Sequence, residues 1–370
     1  MTKVIMTTDA VGGIWTYALD LCRALACQDV EIILATMGPA PTSAQRAEVG
    51  AMLNVTLHES SFRLEWMPEP WDDVRRAGQW LLDLERSEAP DIIHLNGYAH
   101  GSLPWNAPTL IAAHSCVLSW WQAVKGKPAP SEWAIYRRMV ESGLRSADLV
   151  IAPSYAMLNA LERHYCRLRR TRVIYNGRSA SLYRSGAKKP YVLSAGRLWD
   201  EAKNIVALDR IARRIAWPVR VAGQTAAPDG VSIVGEHVQL LGKLDTTDLA
   251  EEMSHASIYA LPARYEPFGL SALEAAHSGC ALVLGDIDSL REVWGDAAIF
   301  ASPDDEGAMI GAINLLISNS DLRREMSLRA AARAQRYSLA QLGQHYRDAY
   351  DDIRHSIVEY AATPAGGEKG

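Results

Sequence analysis

The sequence predicts an α/β protein of the doubly wound class, built as two Rossmann-like halves. Three observations predict this. Short β-branched runs alternate with longer stretches of helical spacing. The alternation stops at a polar stretch near the middle of the chain and then restarts. The 370 residues exceed what one hydrophobic core usually supports, on the order of 250–300 residues.

The elements follow in order. Val4 to Thr7 reads as a buried strand, and Thr16 to Ala26 as a helix with Tyr17, Leu21, Ala24 and Leu25 on one face. Further strands are predicted at Val30 to Thr36, Asp91 to Leu95, Thr109 to Ala113, Leu149 to Ala152 and Arg172 to Tyr175. These runs are continuously apolar rather than alternating, as in a parallel sheet covered on both faces. Ser179 to Pro190, polar and carrying Gly186, Lys188, Lys189 and Pro190, reads as a linker. Strands resume at Tyr191 to Ala195, Val219 to Ala222, Val238 to Leu241, Ser257 to Leu261 and Ala281 to Leu284. Helices are predicted at about Asn204 to Arg214, Thr247 to Ser254, Gly269 to Ser278 and Glu306 to Ile317. A long amphipathic stretch, Asp321 to Tyr360, breaks near Tyr337-Ser338, and the Gly-rich tail over 361–370 is expected to be disordered.

Composition narrows the function classes. Hydrophobic residues make up 48% and charged residues 22%, so wholesale disorder, collagen and coiled coil are excluded. A net charge of -5 argues against a nucleic-acid binder, whose phosphate contacts need clustered cations. Five cysteines without a C-x-x-C pair spell neither a zinc knuckle nor a disulfide framework, and a reducing cytoplasm is expected. No run approaches the roughly 18 apolar residues of a membrane span. Met1 to Met6 reads as a first strand rather than a signal peptide.

Ligands of doubly wound sheets bind beyond the carboxyl ends of the strands, so chemistry is expected on loops that follow strands, in a cleft between the halves. Three such loops stand out. Arg264-Tyr265-Glu266-Pro267-Phe268-Gly269-Leu270 opens a helix that carries Glu274. The amides of Phe268, Gly269 and Leu270 at a helix start suit anionic oxygens, and carboxylates eight residues apart can hold hydroxyls at two ends of a ligand. An equally good reading makes Glu266 a cap and Glu274 a helix charge. Gly196-Arg197-Leu198 with Lys203 places two cations at a strand end, which suits a diphosphate, or else Arg197 pairs with a nearby carboxylate. Gly12-Gly13 turns the first strand into the first helix and is not a G-x-G-x-x-G fingerprint.

Taken together, Glu266-x7-Glu274 with Pro267-Phe268-Gly269-Leu270, Gly196-Arg197-Leu198 with Lys203, Tyr175-Asn176-Gly177 and Gly12-Gly13 resemble the retaining glycosyltransferases of family 4, from Lys3 to about Arg354. The resemblance implies the two-domain GT-B fold and transfer of a sugar from a nucleotide diphosphate to an acceptor hydroxyl with retained configuration. It implies an acceptor-side domain over 1–178, a linker over 179–190, a donor domain over 191–337 and a helix over 338–360 that crosses back to the first domain. On this basis Arg197 and Lys203 hold the donor diphosphate, Glu266 the sugar hydroxyls and Glu274 the ribose. The amides of Phe268, Gly269 and Leu270 support sugar and phosphates, and Gly12 and Gly13 add amides nearby. His114 lies beside the reacting sugar, and the base is read around Gly242-Lys243-Leu244. No cofactor is implied beyond the substrate itself, a UDP- or GDP-linked sugar, and no metal. The acceptor is a carbohydrate, a lipid-linked molecule or a small molecule. A sugar phosphorylase, a sucrose- or trehalose-type synthase and a non-catalytic sugar-nucleotide binding module are the alternatives.

The chain departs from the family pattern at His114-Ser115, where His-Asp is common, at Asn176-Gly177-Arg178-Ser179 in place of Asn-Gly-Val-Asp, and at Asp286-Ile287-Asp288, where Gly-Gly is frequent. The D-x-D spacing of Asp286 and Asp288 imitates a metal-binding pair, but Arg197 and Lys203 already supply positive charge. Eight of the 11 tryptophans precede the linker, and Trp120-Trp121 with Asn96 are the candidates for contact with an acceptor. Arg163, Arg167, Arg169, Arg170 and Arg172 form a basic run, either a solvated helix end or a peripheral contact with an anionic membrane at the inner face.

Overall fold

The computed structural model describes residues 1–225 and 235–362. Residues 363–370 of the predicted tail lie outside them. The first half alternates β1 (Thr2–Asp9), α1 (Gly13–Leu25), β2 (Val30–Met37), α2 (Ser43–Gly50), β3 (Val55–Glu59), α3 (Trp71–Glu88), β4 (Ile92–Leu95), β5 (Thr109–Ala112), α4 (Val117–Lys125), α5 (Ala134–Ser146), β6 (Leu149–Ala152), α6 (Tyr155–His164) and β7 (Thr171–Val173). The second half comprises β8 (Lys189–Ala195), α7 (Ile205–Ala212), β9 (Val219–Ala222), β10 (Gln239–Gly242), α8 (Thr246–His255), β11 (Ala256–Leu261), α9 (Leu270–His277), β12 (Ala281–Gly285), α10 (Asp288–Trp294), β13 (Ile299–Ala301), α11 (Glu306–Ser318), α12 (Ser320–Ala334) and α13 (Leu339–Ala362).

Both sheets are parallel. The first runs β3-β2-β1-β4-β5-β6-β7 and the second β10-β9-β8-β11-β12-β13. The continuous apolar runs have the reason expected of them. Ile5, Ile33, Ile93 and Ile111 enter the core on one face of the first sheet, while Val4, Met6, Ile32 and Leu34 enter the core on the other. In the second sheet, Leu193, Tyr259 and Leu282 fill one face, and Val192, Ile258 and Val283 the other. The two halves are thus α/β Rossmann-like domains, each with both sheet faces covered.

The strand order reverses between β1 and β4 and again between β8 and β11. Those switch points open the crevices where doubly wound folds take ligands. The three loops singled out in the sequence follow β1, β8 and β11, and His114 of the resemblance follows β5, all beside the crevices. After β12 and β13 the chain returns. Leu342, Tyr346, Ala349, Tyr350 and Ile353 of α13 pack into the same core as α1 and β1.

Differences from the sequence reading are local. The first helix begins at Gly13 rather than Thr16, and Lys189 and Pro190 already belong to β8. Apolar-run reading also misses β3 and β13. Each lies at one edge of its sheet, short and only partly buried, so its sequence lacks the fully apolar character of the central strands.

Candidate active site

The site is built from strand ends upward. At the end of β1, Asp9 is buried, and its Oδ1 accepts the amide of Val11 at 2.7 Å. Burial raises its carboxyl to about pKa 6, opposed by the Val11 hydrogen bond and by Arg197. Gly12 stands at φ +73° as the N-cap of α1, and Gly269 at φ +92° as the N-cap of α9. Both conformations favour glycine, and both helices start at once because of them. Arg197 lies across from the first turn: its Cδ is 3.8 Å from where a Cβ on Gly12 would stand.

Beyond β4, Asn96 is clamped on β1. Its amide donates to Thr7 Oγ1 at 2.9 Å and its Nδ2 to the Thr7 carbonyl at 2.7 Å. Its Oδ1 lies 2.8 Å from His114 Nε2. The imidazole of His114 also meets the edge of Tyr17, with ring centroids 4.3 Å apart. Burial lowers its pKa to about 4, so the ring is neutral at neutral pH. With Nε2–H directed at Asn96, Nδ1 is left as an acceptor. Asn96, a candidate for acceptor contact, is the hydrogen-bond partner of His114.

In the second half, the Lys203 ammonium and the Glu266 carboxylate form a largely buried ion pair. The other oxygen of Glu266, Oε1, accepts the amide of Gly269 at 2.9 Å. Glu266 thus meets the reading of a helix-start cap, and it does so while paired with a cation. Arg197 pairs with Asp200 at 2.8 Å and lies over Trp199, 5.3 Å from the ring centroid. Leu244, past the β10 end, is partly buried against the second core, and the Gly242 carbonyl accepts the amide of Gly223 at 2.8 Å.

Glu274, expected to contact a ribose, is engaged within the fold. It is buried on α9, and its Oε1 accepts Arg178 Nε at 2.7 Å. Arg178 Nη1 also reaches Asp20 of α1 at 2.6 Å, and Nη2 reaches the Tyr183 hydroxyl at 2.8 Å. Burial raises the carboxyls of Asp20 and Glu274, and Arg178 opposes that rise in both.

The tryptophan pair is not an open platform. Both residues lie on α4. The Trp120 indole N–H donates to Asp200 Oδ1 of the other half at 3.2 Å, and Trp121 packs between Trp120 and Trp133. Lys125 of the same helix pairs with Glu201 at 2.7 Å. Asp286 is taken up by Arg291, and among the described residues no cluster of three His, Cys, Asp or Glu side chains is placed to hold a metal ion. Arg172 of the basic run pairs with Asp352 on α13. Among the described residues no helix is long and apolar enough to cross a membrane.

The loops of the two halves are joined directly. The amide of Cys116, two residues after His114, donates to the hydroxyl of Tyr265, the residue before Glu266, at 3.1 Å. The structure thus brings Arg197, Lys203, Glu266 and Gly269 together on one side of the crevice, with Gly12, Asn96 and His114 on the opposing loops. Sequence reasoning missed Asp9, Arg178, Asp200 and Tyr265. Asp9 could have been found, since it is an acidic residue at a strand's carboxyl end beside a glycine turn.

Two family models match the chain: Glycosyltransferase Family 4 over residues 11–181 and Glycosyl transferases group 1 over residues 183–333. The chain belongs to the family 4 type of GT-B glycosyltransferase. Among curated relatives, this glycosyltransferase is 26% identical to a glycogen synthase of Mycobacterium tuberculosis, over 95% of its own length and 96% of the relative's. It is 24% identical to a phosphatidyl-myo-inositol mannosyltransferase of Mycobacterium leprae, over 94% and 95%. Among solved structures, it superposes on the sucrose-phosphate synthase of Thermosynechococcus elongatus with a TM-score of 0.80 at 19% identity, covering 96% of this chain and 100% of that one. Anabaena HepE, solved with UDP-glucose, aligns with a TM-score of 0.75 at 18% identity, covering 95% and 100%.

Proposed function

We propose that this glycosyltransferase retains configuration and needs no metal, taking its sugar from a UDP- or GDP-linked donor. The reading rests on one observation: a Lys203–Glu266 ion pair at the α9 start, on a loop that Tyr265 ties to the loop of the neutral His114. Residues 1–178 form the acceptor-side domain and 191–337 the donor domain, with 179–190 joining them and 338–360 returning to the first.

When the donor enters, Lys203 exchanges its carboxylate for a diphosphate oxygen, and Arg197 neutralises the same group. Glu266, released, accepts sugar hydroxyls. The amides of Phe268, Gly269 and Leu270 and those of the Gly12-Gly13 turn add fixed dipoles. Glu274 contributes toward the ribose from its buried pair with Arg178, and the base lies against backbone near Leu244. His114 offers Nδ1 to a sugar hydroxyl. The acceptor oxygen bonds to the anomeric carbon on the face from which the diphosphate oxygen departs, and that oxygen takes the acceptor's proton. The HepE complex with UDP-glucose supports a uridine donor, and the mannosyltransferase relatives support a hydroxyl-bearing lipid-linked or carbohydrate acceptor. The five unpaired cysteines suit a reducing compartment.

The test is sugar transfer by Lys203→Ala, measured with excess chelator present in all samples. The variant is expected to lose about 10²–10³-fold in turnover, the effect of removing one preorganised charge donor, while keeping its unfolding midpoint within a few degrees. The wild type is expected to keep its rate in chelator. Full transfer by the folded variant would refute the donor assignment, and loss of wild-type transfer in chelator would refute metal independence.

A further inference from the structure

Asp200 is the point where the two halves meet the phosphate-binding loop. It is 7% exposed, and both of its oxygens are committed. Oδ2 accepts Arg197 Nη2 at 2.8 Å. Oδ1 accepts the Ala202 amide at 3.0 Å and, from the opposite half, the Trp120 indole N–H at 3.2 Å. The Asp200 carbonyl also accepts the Lys203 amide at 2.9 Å. One carboxylate therefore fixes the guanidinium of Arg197 and the short turn that carries Lys203.

Trp120 is placed by the same helix that follows the His114 loop. Ser119, its neighbour on α4, has its hydroxyl 2.8 Å from that of Tyr265, and Lys125, one turn on, both pairs with Glu201 and lies over the Trp120 ring. The α4 helix thus grips the second half on both sides of Trp120. Arg197 is 41% exposed even when paired, so its arrangement depends on Asp200 and the Trp199 ring. A buried carboxylate anchored from two sides holds it to one arrangement.

We propose that Trp120 is a positioning residue, whose indole N–H orients Arg197 through Asp200, so that the diphosphate-binding guanidinium is set only when the two halves are docked. This inference rests on the assignment of Arg197 to the donor diphosphate. The indole then acts through its N–H, not through its aromatic face as an acceptor platform.

The N–H and the ring can be separated by substitution. Trp120→Phe keeps an aromatic ring and removes the donor. Trp120→Gln removes the ring and keeps an N–H donor at similar reach. Binding of UDP or GDP, whichever the wild-type chain binds, is measured by calorimetry for these variants, for Arg197→Ala and for the Arg197→Ala/Trp120→Phe double variant, each first shown to be folded by circular dichroism. Trp120→Phe is expected to bind about tenfold more weakly, as on loss of a hydrogen bond to a charged group. Trp120→Gln is expected to stay within about threefold of wild type, and the double variant to be no weaker than Arg197→Ala, since the two residues act in series. Wild-type affinity in Trp120→Phe alongside a weakened Arg197→Ala overturns the relay alone. Equal weakening in Phe and Gln variants assigns the effect to the packed bulk of the indole rather than to its N–H and also overturns it. Wild-type affinity in Arg197→Ala overturns the donor assignment, and the relay with it.

Discussion

His94 shows how much one buried side chain can control. It is fully buried at the end of β4, with Nδ1 2.7 Å from the Tyr350 hydroxyl and its ring stacked on Tyr346 at 5.3 Å. Burial, reinforced by nearby His114, lowers its pKa from 6.5 to about 3. The folded chain therefore keeps this imidazole neutral where the unfolded chain would protonate it. Stability from the neutral ring is fully present above pH 6.5 and is lost as pH falls toward 3, at about 1.4 kcal/mol per pH unit for one proton. The half-buried His114, lowered to about 4, adds to the same trend. Urea midpoints of wild type and His94→Phe, compared from pH 7 to 4.5, are expected to converge on acidification, because the variant lacks one titrating group. Parallel curves would show that His94 does not carry this dependence. At this scale the loop positions of Arg197, Lys203 and Glu266 were legible, because each is a charged residue just past a strand, while His114 was singled out only through the family resemblance. Arg178 and Asp200 stayed hidden because their partners come from afar: Asp20 is 158 residues from Arg178 and Glu274 is 96, while Trp120 is 80 from Asp200.

Among the elements, Arg178 ties α1 to α9. Its guanidinium is shared between Asp20 and Glu274, all three side chains being less than a tenth exposed, and Arg23 gives Asp20 a second cation at 3.1 Å. Charges buried this way contribute modest net stability when paired, but removing one partner strands the others. Arg178→Met should therefore cost about 3–5 kcal/mol, and Arg178→Met/Glu274→Gln should recover part of it by removing a stranded carboxylate. The defect of the single variant should shrink as pH falls, since the unpaired Glu274 carboxyl, already raised by burial, then protonates in the folded state. Equal stability of single and double variants in chemical unfolding would refute the clasp. Where elements form was readable from periodicity. Where they stop depended on caps that periodicity does not show, such as Asp245 accepting the Asp248 amide to start α8 one residue earlier than the apolar spacing indicates. The tie between α1 and α9 was beyond reach, since no local pattern marks an arginine between two elements.

The whole molecule has two sheets but is joined across its crevice at several places. Tyr265 inserts its hydroxyl between the Cys116 amide and Ser119. Glu292 of α10 accepts the amides of Tyr155 and Ala156 at the start of α6, at 2.8 and 2.9 Å. Arg178 joins α1 to α9, and α13 returns from the second half to bury Tyr346 and Tyr350 in the first core. With so many buried groups shared, neither half can unfold without exposing polar partners of the other. The two halves should therefore melt together. A nucleoside diphosphate that binds the second half should then stabilise the whole chain, by about 2.7 kcal/mol at one hundred times its Kd. Differential scanning calorimetry of the full chain with UDP or GDP is expected to show one transition that moves upward as a unit. If the seams were weak, the trace would resolve two transitions and only the one belonging to the half that takes the nucleotide would move. That result would separate the lobes energetically, and with it would go the idea that docking of α4 sets Arg197, because a relay through Asp200 can work only where contact across the crevice is strong enough to be felt by both halves.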